Sequence, residues 1–479
     1  MTRFSAFFNA LWMVLILNSC NNGGKIRWIS SSERFQWIRQ ESPEFSEIPG
    51  TTNVITVQEN QPQQIISGFG GCFNEMGWDA LSVLDSAARD SVIGLFFGPS
   101  SELKFSLGRM PVGANDYAMN WYSLDDSAGD FGMKYFSIER DRQRLIPYIK
   151  LALAHDPGLK IWASPWCPPA WMKTNKHYAC RMSEYNDLGN KDLEGREGIT
   201  GFIMQPEYLN AYALYFAKFI RAYRNEGIPV YAVHVQNEPN SCQDFPSCIW
   251  KSSDLGIFIG KYLGPRLAAD VPDAEIWYGT IERPSIRNID TVMEDPVARK
   301  YIAGLGFQWA GKDAIGPAHD EYPDISLMQT ESECGDGSND WKAAEHTFGL
   351  IRHYFENGAN AYMYWNMILD QTGKSQWGWK QNSLVSINRD TKKVTLNPEY
   401  YLFMHITQFV MPGARWLETQ GSRKDILAFK NPDNRVVVVI FNPKSTEDNI
   451  VISTPSGNFG ADLGPESFNT FIYRNKSDL

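Results

Sequence analysis

The sequence predicts an α/β fold, a (β/α)8 barrel of the TIM type with a side antiparallel β-sandwich. Three observations carry that expectation. Eight apolar runs, each closing in a polar or Gly/Pro cluster, read as buried parallel strands. Stretches of helical periodicity lie between them. Beyond about residue 410 the pattern changes to short alternating runs spaced by turn residues, the mark of an antiparallel sandwich.

In order, the eight runs are IISGFGG from Ile65, LKFSLGRMPVG from Leu103, LKIWASPWCPP from Leu159 and YAVHVQNEP from Tyr231, then AEIWYGT from Ala274, AGLGFQW from Ala303, ISLMQTESEC from Ile325 and NAYMYWNM from Asn360. Helices are expected over Trp78–Phe97, Ile138–His155, Pro206–Asn225 and Trp341–Glu356 among others. An open doubly wound sheet shares this alternation, but it usually carries a Gly-rich phosphate turn after its first strand. GFGG does not fit that spacing. The C-terminal runs are RWLETQG, DILAFKN, RVVVVIFNP, NIVISTP and FNTFIYR, and segment 33–60, with NVITVQE, is expected to add a strand to the same sandwich. The division expected is a signal peptide over 1–20, a tether and N-terminal sandwich strand over 21–62, the barrel over 63–408 and the sandwich over 409–479.

A chain of 479 residues with 43% hydrophobic and 21% charged residues is an ordinary globular composition with room for one large domain and a smaller one. Net charge is −10 and no basic run occurs, which argues against nucleic acid or an anionic membrane surface as a partner. The 16 Trp, 21 Tyr and 27 Phe supply core volume and flat faces for stacking on ligand rings.

Arg3 is followed by FSAFFNALWMVLILNSC, an apolar run too short and wrongly flanked for a membrane span. It ends in Leu17-Asn18-Ser19-Cys20, which resembles a bacterial lipoprotein cleavage box with Cys20 as the acylated residue; the alternative is a secretory signal cut nearby. Export is expected either way, with an N-terminal lipid anchor as the one membrane attachment. Six cysteines then meet an oxidising compartment: Cys72, Cys167, Cys180, Cys242, Cys248 and Cys334. Cys242 and Cys248 are close enough in sequence to pair, while Cys72, Cys167 and Cys334 stand at strand ends, where buried free thiols are common. Pairing stays open.

The chemistry rests on two carboxylates. In a barrel the loops at the C-terminal strand ends form the open face, so catalytic groups collect there. Glu238 closes the fourth run and Glu331 the seventh, 93 residues apart, which is three strand–helix units. Both are expected at one mouth. Such a pair flanks a glycosidic bond when one group stays ionised and the other holds a proton. Pro239 is expected to keep Glu238 in an extended backbone, and the Asn237 amide offers a donor to a sugar hydroxyl. A lone Glu at a strand end is usually a cap or an ion-pair partner; two in register favour chemistry.

NEP at Asn237–Pro239, Thr330-Glu331, GFGG and ASPWCPPAWMKTN together resemble glycoside hydrolase family 30, including its glucocerebrosidase branch, from about residue 60 to the C-terminus. The resemblance implies a barrel fused to a β-sandwich, no metal or cofactor, a carbohydrate or glycolipid substrate, and retention at a β-linked sugar. By position it implies Glu238 as acid/base and Glu331 as nucleophile. Arg109 and Asp116 in LGRMPVGAND resemble an arginine that braces the nucleophile region and an aspartate that binds sugar hydroxyls. Trp166, Trp309, Trp365 and Asn382 join the implied substrate-binding set. Ala310 stands where that branch has a tyrosine. Glu333 competes with Glu331 for the nucleophile role, since strand alternation puts both on one face; Glu331 is favoured because it directly follows the apolar run. The polar, Gly-containing segment Lys173–Gln205 is expected to be a long loop after the third strand that shapes the subsites.

Two rival functions are weaker. A metal-dependent barrel hydrolase lacks an H-x-H after its first strand and an H-E-x-x-H anywhere, and His234, in mid-strand, reads as a core residue. A non-catalytic glycan-binding lipoprotein on a dead hydrolase would be expected to have lost a carboxylate. Within the family, β-xylosidase, β-fucosidase or endo-β-1,6-glucanase specificity stays open beside β-glucosidase action.

Overall fold

The computed structural model describes residues 26–46, 53–421 and 423–475. Cys20, the whole apolar leader and most of the expected tether lie outside these residues.

Eight parallel strands close a barrel: Gly68–Cys72, Leu107–Pro111, Lys160–Ser164, Val230–His234, Glu275–Ile281, Ile302–Gln308, Ser326–Glu331 and Ala361–Asn366, the last pairing with the first. Each coincides with one of the eight apolar runs, trimmed at the end where polar residues take over. The fourth strand stops at His234, so Glu238 stands in the loop beyond it. Ile65 belongs to the other domain, as the last residue of a strand that begins at Val54.

Side chains two apart on a strand return to the same face. In the barrel interior this builds two layers of opposite character. The floor is apolar, a cluster of Leu107, Trp162, Ala232, Trp277, Met328, Ala361 and Met363. Two residues further along their strands stand Arg109, Ser164 and His234, all fully buried. Glycines on the sixth strand make room for the large rings: a Cβ on Gly304 would come within 2.4 Å of Trp277, and one on Gly306 within 2.7 Å of His234. The His234 ring is stacked between Trp162 and Trp277, and burial holds its pKa well below the usual value. It is a neutral core residue.

Helices Pro206–Asn225 and Trp341–Glu356 span the residues expected. Pro206 sits at the first helical position, where a missing N–H costs nothing. The expected helix 78–97 is two: Glu75–Leu81, capped by Asn74, and Ser86–Gly94, capped by Asp85, whose side chain accepts from the Ala88 amide at 2.8 Å. That second cap satisfies amides a continuous helix would have bonded itself. The helix expected over 138–155 begins only at Leu145, with Pro147 in its first turn.

The side domain is a nine-stranded sheet ordered Gly457–Leu463, Asp448–Thr454, Val54–Ile65, Arg415–Gly421, Ile426–Lys430, Val436–Asn442, Ser467–Tyr473, Arg27–Ser32 and Ile38–Arg39. All neighbours are antiparallel except Val54–Ile65 with Asp448–Thr454. The sheet folds over its own core, so that Phe459 of the first of these strands packs on Phe471 of the seventh at 5.6 Å. Both faces of Val436–Asn442 are covered: Val436, Val438 and Ile440 enter the sandwich core, while Val437, Val439 and Phe441 join the barrel-side core. This is why VVVVIF is an unbroken apolar run. Strands Arg27–Ser32 and Gly457–Leu463 were not anticipated, the first being Ser-rich and the second Gly-containing in sequence.

Candidate active site

A cavity of about 500 Å³ opens at the C-terminal ends of the barrel strands, and both Glu238 and Glu331 line it. They reach it differently. Glu331 is the last residue of the seventh strand, just past a register shift after Gln329. Glu238 rises from the loop and has φ +47, not the extended backbone expected ahead of Pro239. Left-handed backbone at a non-glycine residue persists only where neighbours over-determine it. Here the Glu238 amide donates to the Thr280 carbonyl at 3.2 Å, and its carbonyl accepts from the Ser241 amide at 3.1 Å.

One side chain joins the carboxylates. Nε2 of Gln308, from the end of the sixth strand, donates to Glu238 Oε1 and to Glu331 Oε2, each at 3.2 Å. Oxygens of the two groups therefore stand no farther apart than twice that distance. Sequence reasoning passed over Gln308. Its position, one residue before Trp309 at a strand end, was the available signal.

The two carboxyls have unlike surroundings. Glu331 Oε2 accepts from Arg109 Nη1 at 2.8 Å and its Oε1 from Trp309 Nε1 at 3.1 Å. Arg109 is fully buried and spends its other donors on Thr330 O, Ser164 Oγ and Asn237 Oδ1, with its cation 4.5 Å from the Trp166 ring centroid. Burial raises the Glu331 pKa, and Arg109, Trp309 and Gln308 oppose the rise. Among the described residues no cation pairs with Glu238. Burial, then the charge of Glu331, then that of Glu282 push it up to about 8. Its remaining contacts are to the amides of Gln308 and Gln243, the latter at 3.4 Å. One carboxyl is thus equipped to stay ionised and the other to hold a proton.

The other expected site residues fall into three groups. Asp116, Trp166, Asn237 and Trp309 line the cavity. Asn237 Oδ1 accepts from Arg109, Thr280 and Gln308, which orients its amide and leaves the NH2 as the outward donor. Asp116 is buried, its Oδ1 bonded by no group among the described residues, and burial together with Glu331 and Glu238 raises its pKa well above the usual carboxylate range. Trp365 stacks on Trp166 at 5.3 Å, fully buried, and its indole N–H likewise meets no acceptor among the described residues. Asn382 is a correction. Its Oδ1 accepts from the amides of Gly337 and Asn339 and its Nδ2 donates to Glu399, so it braces the loop after the seventh strand. Its neighbour Gln381 lines the cavity instead.

Glu333 is not on the face of Glu331. The strand ends at Glu331, alternation ends with it, and Glu333 turns to Lys312 at 2.6 Å and His346 at 3.2 Å. Glu282, also unanticipated, is a fourth cavity carboxyl beside Asp116, Glu238 and Glu331: it accepts from the Asn240 amide and the Ser241 hydroxyl, and burial pushes it up to about 7.

Known proteins bear on this arrangement. The model of the glycosyl hydrolase family 30 TIM-barrel domain matches residues 66–410, and that of the family 30 β-sandwich domain matches 413–471. The lysosomal acid glucosylceramidase of Mus musculus is 25% identical over 452 residues, 89% of this chain and 84% of the relative. An endo-1,6-β-D-glucanase of Aspergillus fumigatus is 26% identical over 430 residues, covering 85% of this chain and 86% of the relative. The crystal structure of SrfJ from Salmonella typhimurium superposes with a TM-score of 0.84 at 25% identity, covering 94% of this chain and all of that one. The chain belongs to glycosyl hydrolase family 30, and its activity is the hydrolysis of glycosidic bonds.

Proposed function

We propose that the protein is a retaining β-glycosidase acting on β-linked glucosides, with Glu331 as nucleophile and Glu238 as acid/base. The observation that carries this is the single Gln308 nitrogen bonded to both carboxyls at 3.2 Å. It holds one oxygen of each within twice that distance of the other, which favours the roughly 5–5.5 Å spacing of a retaining pair over the wider gap an inverting pair needs to admit water. Glu331 attacks the anomeric carbon while Glu238 gives its proton to the departing oxygen. The carboxylate of Glu238 then takes a proton from water, the water oxygen bonds the anomeric carbon, and Glu331 leaves with the configuration retained.

Relatives named as a glucosylceramidase and an endo-1,6-β-glucanase make glucose the favoured sugar. The cavity wall offers Ser241, Gln243, Glu282 and Arg283 for hydroxyls and the rings of Phe245 and Trp379 for stacking, which favours a hydroxylated ring aglycone such as a second sugar over a lipid tail. Export belongs to the same proposal, supported by the apolar leader and Leu17–Cys20, with acylation at Cys20. Metabolic labelling with a fatty acid tests the anchor: a Cys20→Ala chain that still takes up label excludes it.

The activity test is a panel of aryl β-glycosides and β-glucan oligomers with wild type, Glu331→Gln and Glu238→Ala. Glu331→Gln should lose nearly all turnover. Glu238→Ala should lose far less on acidic phenol leaving groups, which need no proton, and should recover with azide. NMR of the first-formed anomer decides stereochemistry, and an inverted product would overturn the mechanism.

A further inference from the structure

The structure brings together two cysteines that sequence spacing did not suggest as a pair. Cys180 and Cys242 share a small buried cluster with Leu193 and Ile249, separate from the main core. The backbone holds them there: the amides of Cys180 and Arg181 both donate to the Gln243 carbonyl at 2.9 Å, one residue beyond Cys242. Facing residues of adjacent segments at this spacing lie within the reach a disulfide needs. The two thiols act directly on each other's ionisation, lowering the pKa of Cys180 and raising that of Cys242. Cys248, the sequence neighbour that seemed able to pair with Cys242, instead faces the main core.

A buried cation stands beside them. Lys173 is fully buried, and its Nζ donates to the carbonyls of Tyr178, Ala179 and Ser247 at 2.9, 3.1 and 2.7 Å. Among the described residues no carboxylate bonds it. Interaction with Cys242, joined by the Lys173 charge, holds the Cys180 thiol down to about 5. A thiol so placed is the attacking partner in exchange.

We propose that Cys180 and Cys242 close a disulfide in the exported chain, tying the long loop after the third strand to the loop that follows Glu238. The Cys180 thiolate attacks a sulfur in the disulfide of a dithiol oxidase, giving a mixed disulfide and one oxidase thiolate. Cys242 then loses its proton and attacks the Cys180 sulfur; the oxidase departs as its dithiol, carrying both electrons. Both sulfurs are buried in the finished fold, so the bond closes while segment 173–205 is still settling. The consequence reaches the site, because the tied loop carries Gln243, whose Nε2 lies 3.4 Å from Glu238 Oε2.

The inference rests on the export reading for its oxidising surroundings, and the test separates the two. A chain beginning after Cys20 is unfolded in reductant, refolded in a buffer of reduced and oxidised glutathione, then denatured, alkylated and mapped by mass spectrometry without reductant. The expected result is one linked pair, Cys180 with Cys242, and alkylation at Cys72, Cys167, Cys248 and Cys334. Alkylation at both Cys180 and Cys242, or a link to Cys248, would overturn the pairing. Thermal unfolding gives a second readout that needs no variant at Cys180: reductant should lower Tm of the oxidised wild type by a few degrees and leave Cys242→Ser unmoved. The chain recovered from its native host reports on export alone: a pair that links with glutathione but arrives reduced counts against export and leaves the geometry standing.

Discussion

Arg109 donates to Glu331 Oε2 at 2.8 Å, and among the described residues it makes no bond to Glu238. One buried cation thus distinguishes two carboxyls that share a single cavity. Arg109→Met should lower kcat/KM by about two orders of magnitude or more, because the ionised form of Glu331 loses its main support. The acid limb of the pH–rate profile should move to higher pH, since the Glu331 pKa rises when the cation goes. Removing one partner of a buried ion pair also costs about 3–5 kcal/mol of stability, which thermal unfolding would register.

Activity should fall as pH rises through about 8, where free-enzyme Glu238 loses its proton. The same shift has a stability consequence. A carboxyl with a raised folded-state pKa binds more protons folded than unfolded between the ordinary Glu value and about 8, so stability falls as pH rises across that window. Glu238→Gln should remove that slope and raise Tm more at pH 8 than at pH 5. A Tm gain independent of pH would contradict the assignment.

Glu282 offers a finer test. Its charge helps raise Glu238, and it touches neither Glu238 nor Glu331 by any bond among the described residues. Glu282→Gln should therefore shift the alkaline limb of kcat/KM to lower pH while leaving the limb governed by Glu331 in place.

Gln308→Ala should move both limbs upward. The Gln308 amide donates to both carboxyls and so favours the ionised form of each. Loss of the bridge also loosens the spacing, and kcat should fall by about tenfold to a hundredfold.

Asn382→Ala should leave KM nearly unchanged and lower stability by about 1–3 kcal/mol, because it strips three hydrogen bonds from a buried loop. A large rise in KM with unchanged Tm would restore it to the substrate-binding set.

Much of the site could be read in the residues, unevenly. Glu238 and Glu331 stood out because a carboxylate at the end of an apolar run is costly unless something uses it. Glu333 was separable from Glu331 only once the strand end was known, since alternation holds within a strand and fails beyond it. Gln308 offered only its place beside Trp309 at a strand end, and a neutral amide there is unremarkable until two acids from elsewhere in the chain converge on it. Asn382 misled for the opposite reason, because adjacent residues in one loop point to different places and Gln381 took the cavity. The strand Gly457–Leu463 escaped notice because only three of its seven positions are buried and small or polar residues fill the rest.

Taken alone, the order of apolar runs and helical stretches determined a barrel with a second β domain, because burial and backbone periodicity are local properties of a chain. It also pointed to Glu238 and Glu331 as acids at the open end. What the tertiary structure decided was their inequality. Arg109, Gln308, Trp309 and Glu282 come from the second, sixth and fifth strands and the loops that follow them, and the field each carboxyl feels depends on atoms a few ångströms away in space. Distance along the chain carries no information about that field.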